Sequence, residues 1–374
     1  MKRVLFTATV RSHIGQFHQP YLEYFYQKGW EVHIACKNNF NVKSVDISCP
    51  CVFHDIAYER SPFARKNIQA YYQFKKLLES YHFDIIHCHT PVASVISRIA
   101  ARGNRKSGTR VIYTAHGFHF YRGASLLNWL IFYPLEKYLS RYTDVLITIN
   151  EEDYMHAKSK GFKADKTVKI NGVGVDLSKF KPIDEAKKIE LRKKYGFGVD
   201  QTIMLCAADL SYRKHQDLLL EAFALGSAAM PDALLVFAGT GDKEDEFKTL
   251  AQTLGISNKI RFLGYSRNVN DLMALSDMVI SAARQEGLPL NIIEAMASGL
   301  PVIASDCRGN RDLVKNNVNG FITAPDDASD MMDKMLTLFS DPALRKQMGE
   351  EGHKMSSLYS LENVKDEMTI LYDI

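Results

Sequence analysis

Nowhere do the 374 residues contain a run approaching the roughly eighteen uninterrupted apolar residues that a membrane-spanning helix requires. Any membrane contact is therefore expected to be peripheral. The chain also lacks a concentrated basic stripe. Its 47 lysines and arginines face 43 aspartates and glutamates, a formal charge of +4, and the cations are spread along the sequence. Nucleic-acid binding, which needs cations gathered on one face, is disfavoured. Cysteine is sparse: Cys36, Cys88, Cys206 and Cys307 stand alone, and Cys49-Pro50-Cys51 has no second pair to complete a zinc set. Plain half-buried thiols in a reducing compartment are expected. Met1-Lys2-Arg3 and the apolar Val4 to Val10 have the outline of a leader, but that run is only a strand long and Arg11 interrupts it. The expectation is the first buried strand of a cytoplasmic protein.

What is present is the balance of a well-packed globular protein, with 46% hydrophobic and 24% charged residues. The length exceeds one ordinary core, so two domains are expected. Short β-branched runs alternate with helical segments at Val4–Val10, Val32–Cys36, Ile85–His89, Val111–Ala115 and Val145–Ile149. Such alternation predicts a parallel sheet covered on both faces. Gln16 to Lys28 reads as one helix, with Phe17, Tyr21, Tyr24 and Phe25 on one face and Gly29 as a left-handed stop.

After the turn-rich Asn171 to Asp176 and the charged Asp184 to Lys194, a second series follows: Thr202–Ala208, Leu234–Ala238, Ile260–Leu263, Met278–Ser281 and Val302–Ala304. The fold class expected is α/β, two facing Rossmann-like domains with the ligand crevice at the carboxyl ends of both sheets. The domains are expected at 1–180 and 181–355. Residues 356–374 are expected to form a helical segment packing back on the first.

The sharpest chemical pattern follows the strand Met278–Ser281. Pro289 suits a first helical turn, Gly299 the residue past the end, and Pro301 forbids continuation, predicting a helix over Pro289–Ser298. Its free N–H groups and positive dipole end can hold a diphosphate. Glu286 in the preceding loop and Glu294 on the helix suit neutral hydroxyl donors. A plain reading of the same residues gives Glu286 a capping role and leaves Glu294 on a solvated face. The segment Arg284 to Pro301 resembles the signature of the retaining glycosyltransferases of the GT-B fold, in the large family numbered four. The string Leu288 to Met296 with Gly309-Asn310-Arg311-Asp312 is similar to the branch that builds bacterial capsular and extracellular polysaccharides. Thr7 to His18, Ile85 to Pro91, Tyr113 to His119 and Asn171 to Asp176 extend the resemblance over nearly the whole chain.

That resemblance implies a retaining, metal-independent hexosyl- or N-acetylhexosaminyltransferase. It would move a sugar from a nucleotide diphosphate-sugar, with uridine diphosphate preferred as carrier, to a glycan or lipid-linked acceptor in surface polysaccharide synthesis. Glu286 would contact the donor sugar, Glu294 the ribose, and amides around Leu288, Leu290 and Asn291 the diphosphate, with Gly287 and Pro289 in the same donor-binding loop. Lys214, in Asp209-Leu210-Ser211-Tyr212-Arg213-Lys214-His215, would meet the leaving charge. Relatives usually carry an arginine where this chain has Asp209, so Arg213 is expected to supply the second cation. The base is placed near Gly264 and Tyr265. Gly15 is expected in a loop facing the diphosphate, although relatives often have two glycines there.

A lone histidine at a strand end is more often structural, but the resemblance implies that His116 is a catalytic residue meeting a sugar hydroxyl on the acceptor side, with His89 beside it. Alternation along the strand sends His87 and His89 to one face and Cys88 to the other, so no metal is assigned. The aromatic, partly basic segment around Leu126 to Pro134 reads either as a core helix interrupted by Pro134 or as a dock for a lipid-linked acceptor at the inner face of the cell membrane. The rival functions are a nucleotide-sugar 2-epimerase of similar architecture and a non-catalytic nucleotide-sugar sensor.

Overall fold

The computed structural model describes residues 1–39 and 46–373. They form two compact units, Met1–Val173 with Val364–Ile374, and Gly174–Asn363. The boundaries expected at 180/181 and 355/356 fall at 173/174 and 363/364. The reason is local: Val175 N–H donates to Tyr359 O and Leu361 N–H donates to Val175 O, each at 2.9 Å, tying both stretches to the second unit. At Gly174, with φ +80°, a Cβ would stand 2.6 Å from the Leu361 Cα, so only glycine permits that approach.

The first unit contains β1 (Arg3–Val10), β2 (Glu31–Lys37), β3 (Val52–Asp55), β4 (Ile85–His89), β5 (Arg110–Ala115), β6 (Val145–Thr148) and β7 (Lys166–Lys169). Their order is β3-β2-β1-β4-β5-β6-β7, with every neighbouring pair parallel. The second unit contains β8 (Thr202–Ala207), β9 (Ala233–Ala238), β10 (Ile260–Phe262), β11 (Met278–Ser281), β12 (Val302–Ser305) and β13 (Gly320–Thr323), ordered β10-β9-β8-β11-β12-β13 and again parallel throughout.

Strand alternation builds two cores on each sheet. In the second unit Met204, Cys206, Leu235, Phe237 and Ile280 enter one cluster, while Ile203, Leu205, Leu234, Val236 and Val279 enter the one on the opposite face. In the first unit Ile86 and Cys88 of β4 point into a core with Leu5 and Tyr113, leaving His87 and His89 on the other face with Phe6.

Strands β3, β7 and β13 were not anticipated. All three lie at sheet edges, and β3 and β7 expose their end residues, so neither required the apolar run that marks a central strand. The single helix expected over Gln16–Lys28 is two, Arg11–Phe17 and Gln19–Gln27, parted at His18. Pro20, with no N–H to donate, starts the second helix. Gly29 does adopt the left-handed conformation, at φ +75°. The helix Leu126–Leu139 runs through Pro134 instead of stopping there.

Each sheet reverses its winding once, between β1 and β4 in the first unit and between β8 and β11 in the second. Connections leave in opposite directions there, and the gap between them is where open α/β sheets bind ligands. The loops after these four strands carry the chemistry described next.

Candidate active site

In the second unit, the chain leaves β8 through Asp209 to His215 and enters the helix Gln216–Gly226; it leaves β11 through Ala282 to Pro289 and enters the helix Leu290–Ala297. The second helix begins one residue later than expected. Pro289 is its cap, in extended conformation, with no side chain capping it. Asn291 Nδ2 donates to Ala207 O at 3.1 Å, pinning the helix start to the end of β8. Gly287, Leu288, Leu290 and Asn291 keep partial exposure, so the helix end is not sealed inside the core.

The two loops meet through charge. Lys214 Nζ lies 2.5 Å from Glu286 Oε1, and Arg213 Nη1 lies 3.3 Å from Glu286 Oε2. Glu286 is buried and its carboxylate is spent on these cations, not on capping the helix. Arg213 also reaches Asp209 at 3.3 Å and the Gln285 carbonyl at 3.2 Å, so the cation expected in place of the missing arginine stands within the cluster. Arg308 Nε holds the Glu286 carbonyl at 3.0 Å. Glu294 does not lie on a solvated face: burial pushes its carboxyl up to about 7.

Glycines shape the loops. A Cβ on Gly309 would stand 2.4 Å from Gly287 O, and one on Gly239 or Gly241 would stand 1.9 Å from Ala208 O or Leu210 O. Gly239 and Gly241 were missed by sequence reasoning, although Gly239-Thr240-Gly241 directly follows β9 and two glycines at a strand end are a legible sign of close backbone approach. Gly264, at φ +67°, accepts from the Gly239 N–H at 2.8 Å, and Tyr265 beside it is exposed.

In the first unit Gly15 is not in a loop. It is buried within the helix Arg11–Phe17, which begins directly after β1. His89 ends β4, and its Nδ1 lies 3.3 Å from His116 Nε2. His87 is satisfied elsewhere, by the Tyr372 hydroxyl at 2.7 Å and Thr114 Oγ1 at 2.8 Å. The structure adds two histidines that sequence reasoning did not bring here, His13 and His18. The His18 and His89 rings stack at 3.7 Å, and the His13 and His116 rings meet at 5.0 Å. Burial holds all four imidazoles below their ordinary pKa, His116 at about 4. Thr90, next to His89, takes φ +61°, an unusual angle for a β-branched residue. Its hydroxyl fixes it to the Thr9 amide at 2.9 Å.

A cavity of about 540 Å³ opens beside this cluster, with His13, Thr90, Phe63, His119 and Phe132 in its mostly apolar wall. The helix Leu126–Leu139 forms one side of it. Trp129, Phe132 and Tyr133 pack onto the core, while Leu126, Leu127 and Leu130 are 74, 63 and 66% exposed. Among the described residues no helix is long and apolar enough to cross a membrane. Cys49 and Cys51 are free thiols with sulfurs 3.0 Å apart.

Two doubly wound parallel sheets, one in each unit, are the architecture of the GT-B fold. Residues 3–150 match the model described as glycosyl transferase 4-like and residues 187–355 the model described as glycosyl transferases group 1, and the chain belongs to this family. It is 42% identical to EpsD of Bacillus subtilis over 99% of this chain and 96% of that one. It is 26% identical to the UDP-Gal:alpha-D-GlcNAc-diphosphoundecaprenol alpha-1,3-galactosyltransferase of Escherichia coli, over 82 and 79% of the two chains. The structure of Anabaena HepE in complex with UDP and glucose superposes with a TM-score of 0.79 at 20% identity, covering both chains fully. The family and its named relatives make the protein a glycosyltransferase.

Proposed function

We propose that this enzyme transfers a hexosyl or N-acetylhexosaminyl unit from a UDP-sugar to a lipid-linked saccharide, with retention, in the synthesis of a surface polysaccharide. The observation that carries the reading is the convergence of Lys214, Glu286 and the uncapped start of the helix Leu290–Ala297 at the switch point of the second sheet.

As the bond from the anomeric carbon to the diphosphate breaks, negative charge gathers on the leaving phosphate. Lys214, Arg213 and the amides at Leu288, Leu290 and Asn291 are the groups that meet it, so this step calls for no metal ion. Glu286, oriented by its two cations, accepts hydrogen bonds from donor hydroxyls. Glu294 accepts from the ribose, and Gly264 and Tyr265 flank the base. The acceptor belongs to the first unit, where the apolar cavity suits a lipid-bearing substrate and His116 and His89 stand beside it. In a retaining transfer the acceptor oxygen attacks the face the phosphate leaves, and a donor phosphate oxygen takes its proton. The exposed leucines of the helix Leu126–Leu139 suit contact with the cytoplasmic face of a membrane. The Escherichia coli galactosyltransferase named above, whose acceptor is a diphosphoundecaprenol-linked sugar, supports the choice of acceptor.

The test is to incubate the protein with a panel of UDP-sugars, with and without a polyprenyl-diphosphate saccharide, and to follow UDP release. Acceptor-dependent release, with the equatorial anomeric proton of the α-linked donor preserved in the product by NMR, is expected. Release equal in both arms, or an inverted product, overturns the proposal.

A further inference from the structure

His13 and His18 belong to the helix pair that follows β1, His89 ends β4 and His116 follows β5, so four imidazoles from three connections converge at the carboxyl ends of the central strands of the first sheet. One ring nitrogen from each lies within 4.8 Å of every other. The His89–His116 separation of 3.3 Å matches the roughly 3.3 Å between two nitrogens of a tetrahedral site with bonds of about 2.0–2.1 Å. His18 and His89 are 2 and 1% exposed. Both ring nitrogens of His18, and the Nε2 atoms of His13 and His89, are buried without a hydrogen-bond partner. A neutral imidazole carries one donor and one acceptor, and beyond the His89–His116 contact the buried nitrogens of this cluster use neither, which is costly. Stacking accounts for the ring planes but leaves these nitrogens unused.

We infer that His13, His18, His89 and His116 form a binding site for a divalent transition-metal ion of the zinc class. Four imidazole nitrogens suit Zn²⁺, Co²⁺ or Ni²⁺ and not the oxygen-seeking Mg²⁺ or Ca²⁺. The ion would join the helix pair Arg11–Phe17 and Gln19–Gln27 to the ends of β4 and β5. Its role is therefore to brace the wall of the first unit, apart from the leaving-group chemistry of the second. The inference stands on the geometry of the first unit alone and does not depend on the donor or acceptor proposed above.

The experiment uses the full chain without an affinity tag, stripped with chelator and titrated with Co²⁺, then with competing Zn²⁺. One Co²⁺ per chain, with the intense visible bands of a four-coordinate site, displacement by Zn²⁺, and a higher Tm on loading are expected. Mg²⁺ should do none of these. His13→Gln and His116→Gln, at the two less buried positions, should each weaken Co²⁺ binding by more than the roughly 10–100-fold that loss of an outer-shell partner costs. His54→Gln, whose imidazole pairs with His33 away from the cluster, should leave it unchanged. Circular dichroism of each variant separates lost binding from lost folding. Absence of a stoichiometric site in the wild-type protein overturns the inference whatever the variants do, and so does a site that survives in folded His13→Gln and His116→Gln.

Discussion

Lys214 and Glu286 stand on the two loops that leave the switch-point strands of the second unit, and their side chains meet at 2.5 Å with little exposure of either. Removing one partner strands the other. Lys214→Met is expected to destabilise the protein by about 2–4 kcal/mol, because Glu286 then keeps only Arg213. Adding Glu286→Gln should restore much of that in chemical denaturation. Activity should not follow: kcat in Lys214→Met should fall by about 10²–10³ and stay low in the double variant, since the cation proposed to meet the leaving phosphate is gone. Recovery of stability and activity together would make the pair purely structural.

Arg213 is 46% exposed, so its pairs with Asp209 and with Glu286, each at 3.3 Å, are screened by solvent on the guanidinium side. Such a pair contributes at most about 1 kcal/mol to stability. Arg213→Ala should therefore leave Tm nearly unchanged while weakening UDP affinity, by less than Lys214→Ala does. Isothermal titration of the two variants checks the ranking, and an unchanged affinity in Arg213→Ala removes Arg213 from the donor site.

Glu294 predicts a pH dependence. Its folded pKa of about 7 stands above the ordinary 4.5, and burial is the cause. The folded state thus holds a proton that the unfolded chain has released, and stability is lost as pH rises from 4.5 through 7, by on the order of 3 kcal/mol in all. Glu294→Gln carries no such penalty. Its stability should equal that of the wild type near pH 4.5 and exceed it at pH 8, while its affinity for UDP falls with the loss of a carboxylate acceptor for the ribose. Urea titrations at both pH values test the sign.

Gly309 packs against the loop that precedes the helix Leu290–Ala297. Since a Cβ there would come within 2.4 Å of Gly287 O and 2.9 Å of Leu288 Cα, Gly309→Ala must move that loop. A stability loss of about 1–3 kcal/mol and a large rise in the donor KM are expected. Crystal or solution data showing the Gly287–Leu288 backbone unmoved in an active variant would contradict the packing argument.

Leu126, Leu127 and Leu130 are exposed on a helix whose opposite side is packed. Replacing all three with serine should change stability by less than about 1 kcal/mol, as surface substitutions do. Sedimentation with anionic vesicles should drop sharply. Retention of vesicle binding in the variant, or its absence in the wild type, removes this helix as a membrane contact.

Much of this architecture was legible in the residues. Val4–Val10 and Met278–Ser281 are central strands buried on both faces, and such strands must be apolar throughout; Val52–Asp55 and Lys166–Lys169, at the edges, carry no such mark. Pro289, Gly299 and Pro301 bracketed the donor helix within a residue or two because capping is a local property. The break at His18 was hidden by an amphipathic stripe that two helices share. The rings of His13 and His18 were passed over because a histidine in a helix has no periodic signature, whereas His89 and His116 were conspicuous at strand ends.

By itself, the order of residues determined the alternation of strands and helices, the two sheets, and the helix start that can receive a diphosphate, since each depends on neighbours within a turn or a strand. Only the tertiary structure decided that Lys214 would face Glu286, that Gly309 would press on Gly287, and that four histidines spread from position 13 to position 116 would converge. Those meetings depend on strand order and the direction of crossovers. Both are set by how whole faces pack, and local sequence does not encode them.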